Sequence, residues 1–332
     1  MSKTFPGWRI AVVIPSYRVT TQILDVIARM PTDVERIYVV DDACPDKSGD
    51  FVEANAQDLR IVVLKHTINL GVGGAVITGY KAAIADGMDI IVKIDGDGQM
   101  DPTLIASFVE PICLGEADYT KGNRFFSLEK IRVMPAIRIF GNAVLSFLTK
   151  LSSGYWNLFD PTNGYTAIHA DVCRQLPLDK ISHRYFFETD MLFRLYTIRA
   201  LAIDIPMDAK YGDEVSHLKV SRIFSEFLIK HLKNYLKRIF YNYFLRDLSL
   251  ASVELVFGLF LVIFGTGFGL YHWVLSAQTG VPSSAGTVML AAMPFLVGLQ
   301  LILSFIGYDI ASVPRRKLHR SKLKRSFTDQ NT

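Results

Sequence analysis

Two aspartates one residue apart close an apolar run in the stretch Ile90-Ile91-Val92-Lys93-Ile94-Asp95-Gly96-Asp97-Gly98-Gln99-Met100-Asp101-Pro102. A short run rich in β-branched residues reads as a buried parallel strand. In an open α/β sheet, ligands bind outside the carboxyl ends of the strands. Asp95 and Asp97 at such an end form a hard-oxygen pair suited to Mg²⁺ or Mn²⁺ carrying a phosphorylated ligand. Asp101 and Pro102 have a simpler duty, capping and opening the next helix. A loop merely rich in Asp and Gly would account for those two, but not for two acids on the strand end.

Around this run the elements alternate. Arg9 to Ile14 reads as a strand ending at Pro15, Thr21 to Met30 as a helix, and Glu35 to Val40 as a strand ending in Asp41-Asp42. Arg60 to Lys65 is a third strand, Gly73 to Asp86 a helix, and Ile90 to Ile94 the fourth strand. Less regular pieces follow at Tyr119 to Arg124, Gly141 to Leu151, Gly164 to His169, Glu188 to Ile198 and Leu201 to Ile205. Alternation of this kind predicts an α/β domain with a mostly parallel, Rossmann-like sheet and helices on both faces.

The last third has a different character. The 332-residue chain is 50% hydrophobic with a formal charge of +4. Leu255 to Ala277 and Gly286 to Tyr308 contain no Asp, Glu, Lys or Arg. Each exceeds the ~20 residues that a hydrocarbon core requires. With the short uncharged linker Gln278 to Ala285 between them, they read as a transmembrane hairpin rather than as two core helices. Arg222, Lys230, Lys233, Lys237, Arg238 and Arg246 precede the hairpin, and Arg315, Arg316, Lys317, Arg320, Lys322, Lys324 and Arg325 follow it. The positive-inside rule then predicts a multi-pass protein of the cytoplasmic membrane with the catalytic domain and both termini cytoplasmic. A basic tail beside a span favours anionic lipid headgroups over nucleic acid. Between domain and hairpin, Phe224, Leu228, Leu232, Tyr235, Leu236, Ile239 and Tyr243 share one helical face, with Lys230, Lys233, Asn234, Lys237 and Arg238 mostly on the other. That pattern predicts an in-plane interfacial helix, with packing on the soluble domain as the alternative. The expected division is 1–220 catalytic domain, 221–247 amphipathic helix, 248–311 two transmembrane helices and 312–332 basic tail. No signal peptide is visible at the N-terminus. Cys44, Cys113 and Cys173 fit no zinc spacing, and a cytoplasmic setting keeps them reduced.

Six stretches now stand in series: Val13-Ile14-Pro15-Ser16-Tyr17, Val39-Val40-Asp41-Asp42-Ala43-Cys44-Pro45-Asp46, Asn69-Leu70-Gly71-Val72-Gly73-Gly74-Ala75, the Asp95-x-Asp97-x-Gln99 run, Gly122-Asn123-Arg124-Phe125 and Asp160-Pro161-Thr162-Asn163-Gly164-Tyr165. In this order, and with the hairpin behind them, they resemble the family 2 inverting glycosyltransferases of the GT-A fold. Within that family they are similar to the polyprenyl-phosphate glycosyltransferase branch, the dolichol-phosphate mannose synthase type. The resemblance implies metal-dependent, inverting transfer of a hexose from a UDP- or GDP-sugar to undecaprenyl or dolichyl phosphate at the cytoplasmic membrane face. The implied partners are the nucleotide-sugar donor, the polyprenyl phosphate and the lipid bilayer, with no nucleic acid. A homo-oligomer formed through the transmembrane region is the further partner admitted.

The implied site follows residue by residue. Pro15 and Tyr17 offer backbone and a ring to a base; Asp41 accepts from a base N–H or a ribose hydroxyl. Asp42 is either a second such acceptor or a turn residue. Asn69 and Gly73 belong to a glycine-rich helix start where a ligand approaches the backbone closely. Asp97 and Gln99 match the cation-holding positions, and Asp95 reaches ribose or the metal indirectly. Arg124 adds positive charge for a phosphate, a solvated salt bridge being the alternative. Glu188 and Asp190 stand where relatives with hydroxyl acceptors carry a catalytic base; a phosphate acceptor is already anionic, so a positioning role is equally open.

Two departures mark this chain. Arg18 replaces the acidic residue that usually follows the Tyr of the first motif. In Lys210-Tyr211-Gly212-Asp213-Glu214-Val215-Ser216-His217-Leu218-Lys219, Tyr211 and His217 occupy positions where the family carries Arg and Lys. Lys210, Ser216, His217 and Lys219 are left to grip phosphate. A processive polysaccharide synthase is the competing enzyme. It would carry Gln-x-x-Arg-Trp, yet none of Trp8, Trp156 and Trp273 follows an Arg. A non-catalytic membrane adaptor is the other alternative, and the intact Asp95, Asp97 and Gln99 speak against it.

Overall fold

The computed structural model describes residues 4–126, 136–160, 162–208 and 220–319. The expectations on Lys210, Ser216, His217 and Lys219, and on the tail past residue 319, lie outside the described residues. The chain divides into two units, Met1–Tyr235 with Pro314–Thr332, and Leu236–Val313.

The first unit is built on seven strands: β1 (Ile10–Ser16), β2 (Val34–Asp41), β3 (Ile61–Lys65), β4 (Ile90–Lys93), β5 (Tyr119–Asn123), β6 (Thr166–His169) and β7 (Ala202–Pro206), in the order β3-β2-β1-β4-β6-β5-β7. Val, Ile and Ala fill most of β1 and β4, and Ile37, Tyr38, Val39 and Val40 bury the second half of β2, as a sheet covered on both sides requires. β1 pairs parallel with β2 and β4, with Ser16 opposite Asp41 and Val13 opposite Lys93, so these three strand ends emerge together. The mostly parallel sheet expected from the alternation is present. The exception is β6, which runs antiparallel to β4 and β5.

Helices α1 (Ile23–Ala28), α2 (Ser48–Asn55), α3 (Val72–Ala85), α4 (Ile105–Leu114), α5 (Ala136–Ser153), α6 (Ala170–Arg174) and α7 (Phe187–Thr197) accompany the sheet. Ile23, Val26, Val52, Phe108 and Ile112 from these helices meet Val12, Ile14, Val39, Val92 and Ile94 from the strands in one core. Phe108 stacks on Tyr165 at 4.0 Å. Asp101 caps the turn at Pro102–Leu104 through its carboxylate, which accepts from the Thr103 N–H, as the sequence led us to expect. The chain returns to this unit after the hairpin: the Leu318 and His319 N–H groups donate to the Asp118 carboxylate, and the His319 ring stacks on His169. The start of the expected basic tail is therefore docked.

The expected amphipathic helix is α8 (Val220–Phe240), continued by one π turn, Tyr241–Arg246. Its polar residues do not all face solvent. His231, Asn234, Arg238 and Asn242 are buried, while Leu228, Leu232, Leu236 and Phe240 are exposed. The expected division put Leu228, Leu232 and Leu236 on the apolar face and Asn234 and Arg238 on the polar one, yet here the leucines are exposed and the two polar residues buried. Both are consumed by buried partners, Asn234 by Asp190 and Arg238 by Asp309.

In the second unit, α9 (Leu250–Thr279) and α10 (Ala285–Ala311) form an antiparallel pair closed at Gly280. At 1.5 Å per residue each reaches about 40 Å or more, beyond a ~30 Å hydrocarbon core. Only 11% of each apolar window is buried, where a soluble core helix is mostly buried, so both suit a membrane association. Gly258, Gly265 and Gly298 are buried along their contact, where small residues let helix backbones meet. At one end, the fully buried Arg238 guanidinium pairs with both Asp309 oxygens at 2.5 and 2.9 Å, and the Tyr243 hydroxyl donates to Asp309 Oδ1 at 2.6 Å.

Candidate active site

The ends of β1 and β4 and the loops after β2 and β3 surround a cavity of about 510 Å³, whose walls include Pro15, Ser16, Tyr17, Asp42, Asn69, Gly71, Asp95, Asp97, Arg184 and Tyr185. Six of the residues singled out in the sequence thus meet: Pro15, Tyr17, Asp42, Asn69, Asp95 and Asp97. A larger cavity of about 650 Å³ lies between the hairpin helices, but its walls carry no Asp, Glu, Lys or Arg for a cation or a phosphate.

The acids that look alike in sequence differ in what holds them. Both Asp41 oxygens are taken by main-chain donors, Cys44 N–H at 2.7 Å and Gly49 N–H at 2.6 Å. Asp41 is buried and shapes the loop after β2 rather than lining the cavity. Asp42 accepts from Leu70 N–H at 2.8 Å and Gly71 N–H at 2.7 Å, with His66 Nδ1 at 2.8 Å, while its carbonyl accepts from the Asn69 amide. It staples the glycine loop to β2 and still faces the cavity. Asp190 accepts from Ser182 N–H and from the Asn234 amide. It ties α7 to its own leading loop and to α8, away from the cavity.

Asp95 is different. Its buried Oδ1 is paired with a buried ammonium rather than with main-chain donors. Its neighbour is the Lys93 ammonium, 2.8 Å away and 3.3 Å from Glu188 Oε1. Lys93 is fully buried at the end of β4. Burial pushes its pKa down, but Asp95 and Glu188 outweigh this and hold it above the ordinary lysine range, so the ammonium stays charged. Glu188 belongs to this three-group cluster beneath the cavity. A second buried lysine, Lys121, donates to the Asn163 carbonyl; burial drops its pKa to about 8, against the pull of Asp160 and Glu188.

Arg124 does not reach into the cavity. Its Nε and Nη2 lie 2.8 and 3.0 Å from the two oxygens of the fully buried Asp160. Asp160, with the Thr162 hydroxyl, is accordingly the clasp for Arg124. Asp97 Oδ1 accepts from the Gln99 N–H at 3.0 Å, which curls the loop and keeps Gln99 beside the acids.

The glycine stretch also has a different role from the one expected. A Cβ on Gly73 would lie 2.5 Å from the Ser182 carbonyl oxygen, and one on Gly71 2.7 Å from the His183 oxygen. The Gly74 N–H donates to the His183 carbonyl at 3.1 Å. The close approach that the missing side chains permit is made by the protein's own 182–184 backbone, and several loop N–H groups are already engaged. What this seats over the cavity is Arg184 and Tyr185, which sequence reasoning missed. Their only signal was position, four and three residues ahead of Glu188.

Among the described residues no cluster of three His, Cys, Asp or Glu side chains could cage a metal ion. An ion shared with a diphosphate needs only one or two carboxylates, the rest of its shell coming from phosphate oxygens and water. Asp95 and Asp97 on the cavity wall, with Gln99 beside them, supply that number of carboxylates, although Asp95 shares its Oδ1 with the Lys93 ammonium.

A nucleotide-sized cavity at the carboxyl ends of a mostly parallel sheet, floored by an Asp-x-Asp pair, defines a GT-A glycosyltransferase domain. Residues 11–176, half of the chain, match the family model described as glycosyl transferase family 2. The chain belongs to that family and is a glycosyltransferase of its polyprenyl-phosphate branch. It is 31% identical over 203 residues to the undecaprenyl-phosphate mannosyltransferase of Micrococcus luteus, covering 60% of this chain and 82% of that one. It is 30% identical over 190 residues to the UDP-N-acetylglucosamine–dolichyl-phosphate N-acetylglucosaminyltransferase of Methanococcus voltae, covering 53% and 75%. Its fold is similar to that of glucosyl-3-phosphoglycerate synthase from Mycobacterium tuberculosis, solved with Mn²⁺, UDP and glucosyl-3-phosphoglycerate, at a TM-score of 0.52 and 17% identity over 70% of this chain and 80% of that one.

Proposed function

We propose that this protein transfers a hexose, with inversion and with Mg²⁺ or Mn²⁺, from a UDP- or GDP-sugar to a polyprenyl phosphate at the cytoplasmic face of a membrane. The observation that carries the reading is the union of Asp95 and Asp97 with Pro15, Tyr17, Asp42 and Asn69 around one cavity. The acceptor class is supported by the names of the relatives and by the two long apolar helices.

An acceptor phosphate oxygen attacks the anomeric carbon from the face opposite the departing nucleoside diphosphate. A new carbon–oxygen bond forms, the bond to the β-phosphate oxygen breaks, and the nucleoside diphosphate leaves with the electron pair. The attacking oxygen is already anionic, so no proton has to be removed. The engagements of Glu188 with Lys93 and of Asp190 with Ser182 and Asn234 suit positioning rather than base catalysis. Asp95, Asp97 and Gln99 would hold the cation, which when bound neutralises charge growing on the leaving diphosphate. Tyr17, 43% exposed at the cavity wall, presents its ring to the base.

The test is a screen of UDP- and GDP-sugars with undecaprenyl phosphate and the detergent-solubilised full chain, read by lipid mass. A lipid-linked hexose from one donor, lost on chelation and in Asp97→Asn with the fold retained, is expected. Absence of product with every donor, or full activity of Asp97→Asn in excess chelator, overturns the proposal.

A further inference from the structure

The donor cavity has an uneven charge inventory. Asp42, Asp95 and Asp97 bring three carboxylates to its walls, and Arg184 is the basic residue among its described lining. A divalent cation offsets part of that charge, but a diphosphate adds more negative charge than the ion removes. Arg124, the arginine that the sequence offered for this task, is locked on Asp160. Lys93 is charged but fully committed to Asp95 and Glu188 below the floor.

Arg184 is exposed, and among the described residues its guanidinium has no ion-pair or hydrogen-bond partner. Its backbone, by contrast, is fixed from three sides. Asp190 accepts from the Ser182 N–H at 2.9 Å, the His183 carbonyl accepts from Gly74, and the Arg184 carbonyl accepts from Phe187 N–H at 2.8 Å. Gly71 admits the Arg184 stem: a Cβ there would stand 2.9 Å from Arg184 Cγ. A fixed backbone carrying an exposed guanidinium, with Glu226 as a more distant charge and no hydrogen bond among the described residues, at an acidic cavity wall is arranged to meet an anion that arrives from solution.

We infer that Arg184 grips the diphosphate of the nucleotide donor, its planar fork taking phosphate oxygens from the side opposite Asp97. This deepens the proposed function and rests on its donor reading. It also gives the glycine loop and Asp190 a purpose: they hold the loop that presents Arg184.

The experiment is calorimetric binding of UDP and GDP, and of the nucleosides uridine and guanosine, to the full chain in detergent with Mn²⁺. Wild type, Arg184→Ala and Arg184→Lys are compared. Arg184 is exposed, so the variants keep the fold; unchanged thermal midpoints check this. Arg184→Ala should weaken the diphosphate by about ten- to a hundredfold, the loss of one charge-assisted contact. Nucleoside affinity should change by less than about twofold, because no phosphate is present. Arg184→Lys should fall between, keeping the charge but losing the fork. If wild type binds neither diphosphate, the donor reading itself fails. If wild type binds one and Arg184→Ala binds it equally well, that reading stands and the inference is overturned. The inference also falls if diphosphate affinity is unchanged while the KM for polyprenyl phosphate rises, since the contact would then be to the acceptor.

Discussion

Lowering the pH from 7 to 5 should destabilise the first unit through two buried imidazoles. His169 ends β6 and caps α6, its Nδ1 accepting from the Asp171 N–H at 3.1 Å. His319 stacks on it at 4.3 Å and Trp8 meets it edge-on at 5.8 Å. Burial pushes its pKa down to about 4, His319 adds to this, and Asp171, Asp89 and Asp118 only partly resist. His231 is buried against Ser152 Oγ at 2.8 Å and the Phe186 ring; burial lowers its pKa to about 4, with the Leu148 backbone resisting. In both cases the folded pKa lies below the unfolded value near 6.5, so between those limits the unfolded chain binds more protons. Stability is then complete above about pH 7 and falls as pH drops towards 4. Each full displacement corresponds to about 3.4 kcal/mol, of which about 2 kcal/mol is lost by pH 5, or about 4 kcal/mol for the pair. Asp118 does not confuse this window. Burial raises its pKa, but hydrogen bonds from His319 and the Leu201 and Leu318 N–H groups bring it below the ordinary carboxylate range, so its contribution is lost only in stronger acid. The assay is a urea titration at pH 7, 6 and 5, followed by tryptophan fluorescence with Trp8 beside the probe. His169→Asn keeps an oxygen for the cap and removes the titration; His231→Gln does the same against Ser152. Each should reduce the pH 7-to-5 loss by about 2 kcal/mol, and the double variant should become slightly more stable at pH 5, because burial holds the Asp204 carboxyl up at about 6 and its protonation favours the folded state. A wild type equally stable at pH 7 and 5, or variants with the wild-type slope, would refute the reasoning.

Three further outcomes are expected. Gly73→Ala should destabilise by about 1–3 kcal/mol and raise the donor KM, because its Cβ meets the Ser182 carbonyl and Phe187 rather than a flexible tip; a higher melting temperature, the usual gain of Ala over Gly in a helix, would show that the seat is loose. Arg238→Met alone should cost about 3–5 kcal/mol by stranding the buried Asp309, and Arg238→Met with Asp309→Leu should recover most of it, read from thermal midpoints in detergent. A cysteine at Ser283 should be labelled by an impermeant reagent on intact cells and one at Ser321 should not; the opposite pattern would reverse the proposed orientation.

The strand–helix alternation was legible because β1, β4 and the second half of β2 are near-continuous apolar runs, and the ends of β2 and β4 lead into the acids. The short α2 escaped because Ser48–Asn55 has only Phe51, Val52 and Ala54 as apolar residues and follows a turn-like Asp-Ala-Cys-Pro-Asp. The reversal of β6 was not legible, since an antiparallel strand buried on both faces carries the same residues as a parallel one. On α8, polarity predicted exposure for Asn234 and Arg238, and only their partners 44 and 71 residues away explain their burial. Arg184 went unnoticed for a related reason: its importance comes from the glycines at 71–74, remote in sequence, that bring its loop to the cavity.

The acids of the site divide by how their oxygens are used, and this division has a measurable consequence. Asp42 spends its carboxylate on two main-chain N–H groups of the glycine loop and on His66. Replacing it by Asn puts an NH₂ where one of those donors points and removes the charge that shortens the other bond. Charge-assisted bonds of this kind contribute about 1.5–3 kcal/mol each, so Asp42→Asn should cost at least about 2 kcal/mol of stability along with donor affinity. Asp97 holds a loop N–H of its own strand end, and the same exchange leaves an acceptor for Gln99. Asp97→Asn should therefore cost under about 1 kcal/mol while abolishing transfer. Denaturant midpoints of the two variants beside their transfer rates make the comparison. A stable, inactive Asp42→Asn together with an unfolded Asp97→Asn would invert the assignment, making Asp42 a residue of the chemistry and Asp97 one of the scaffold.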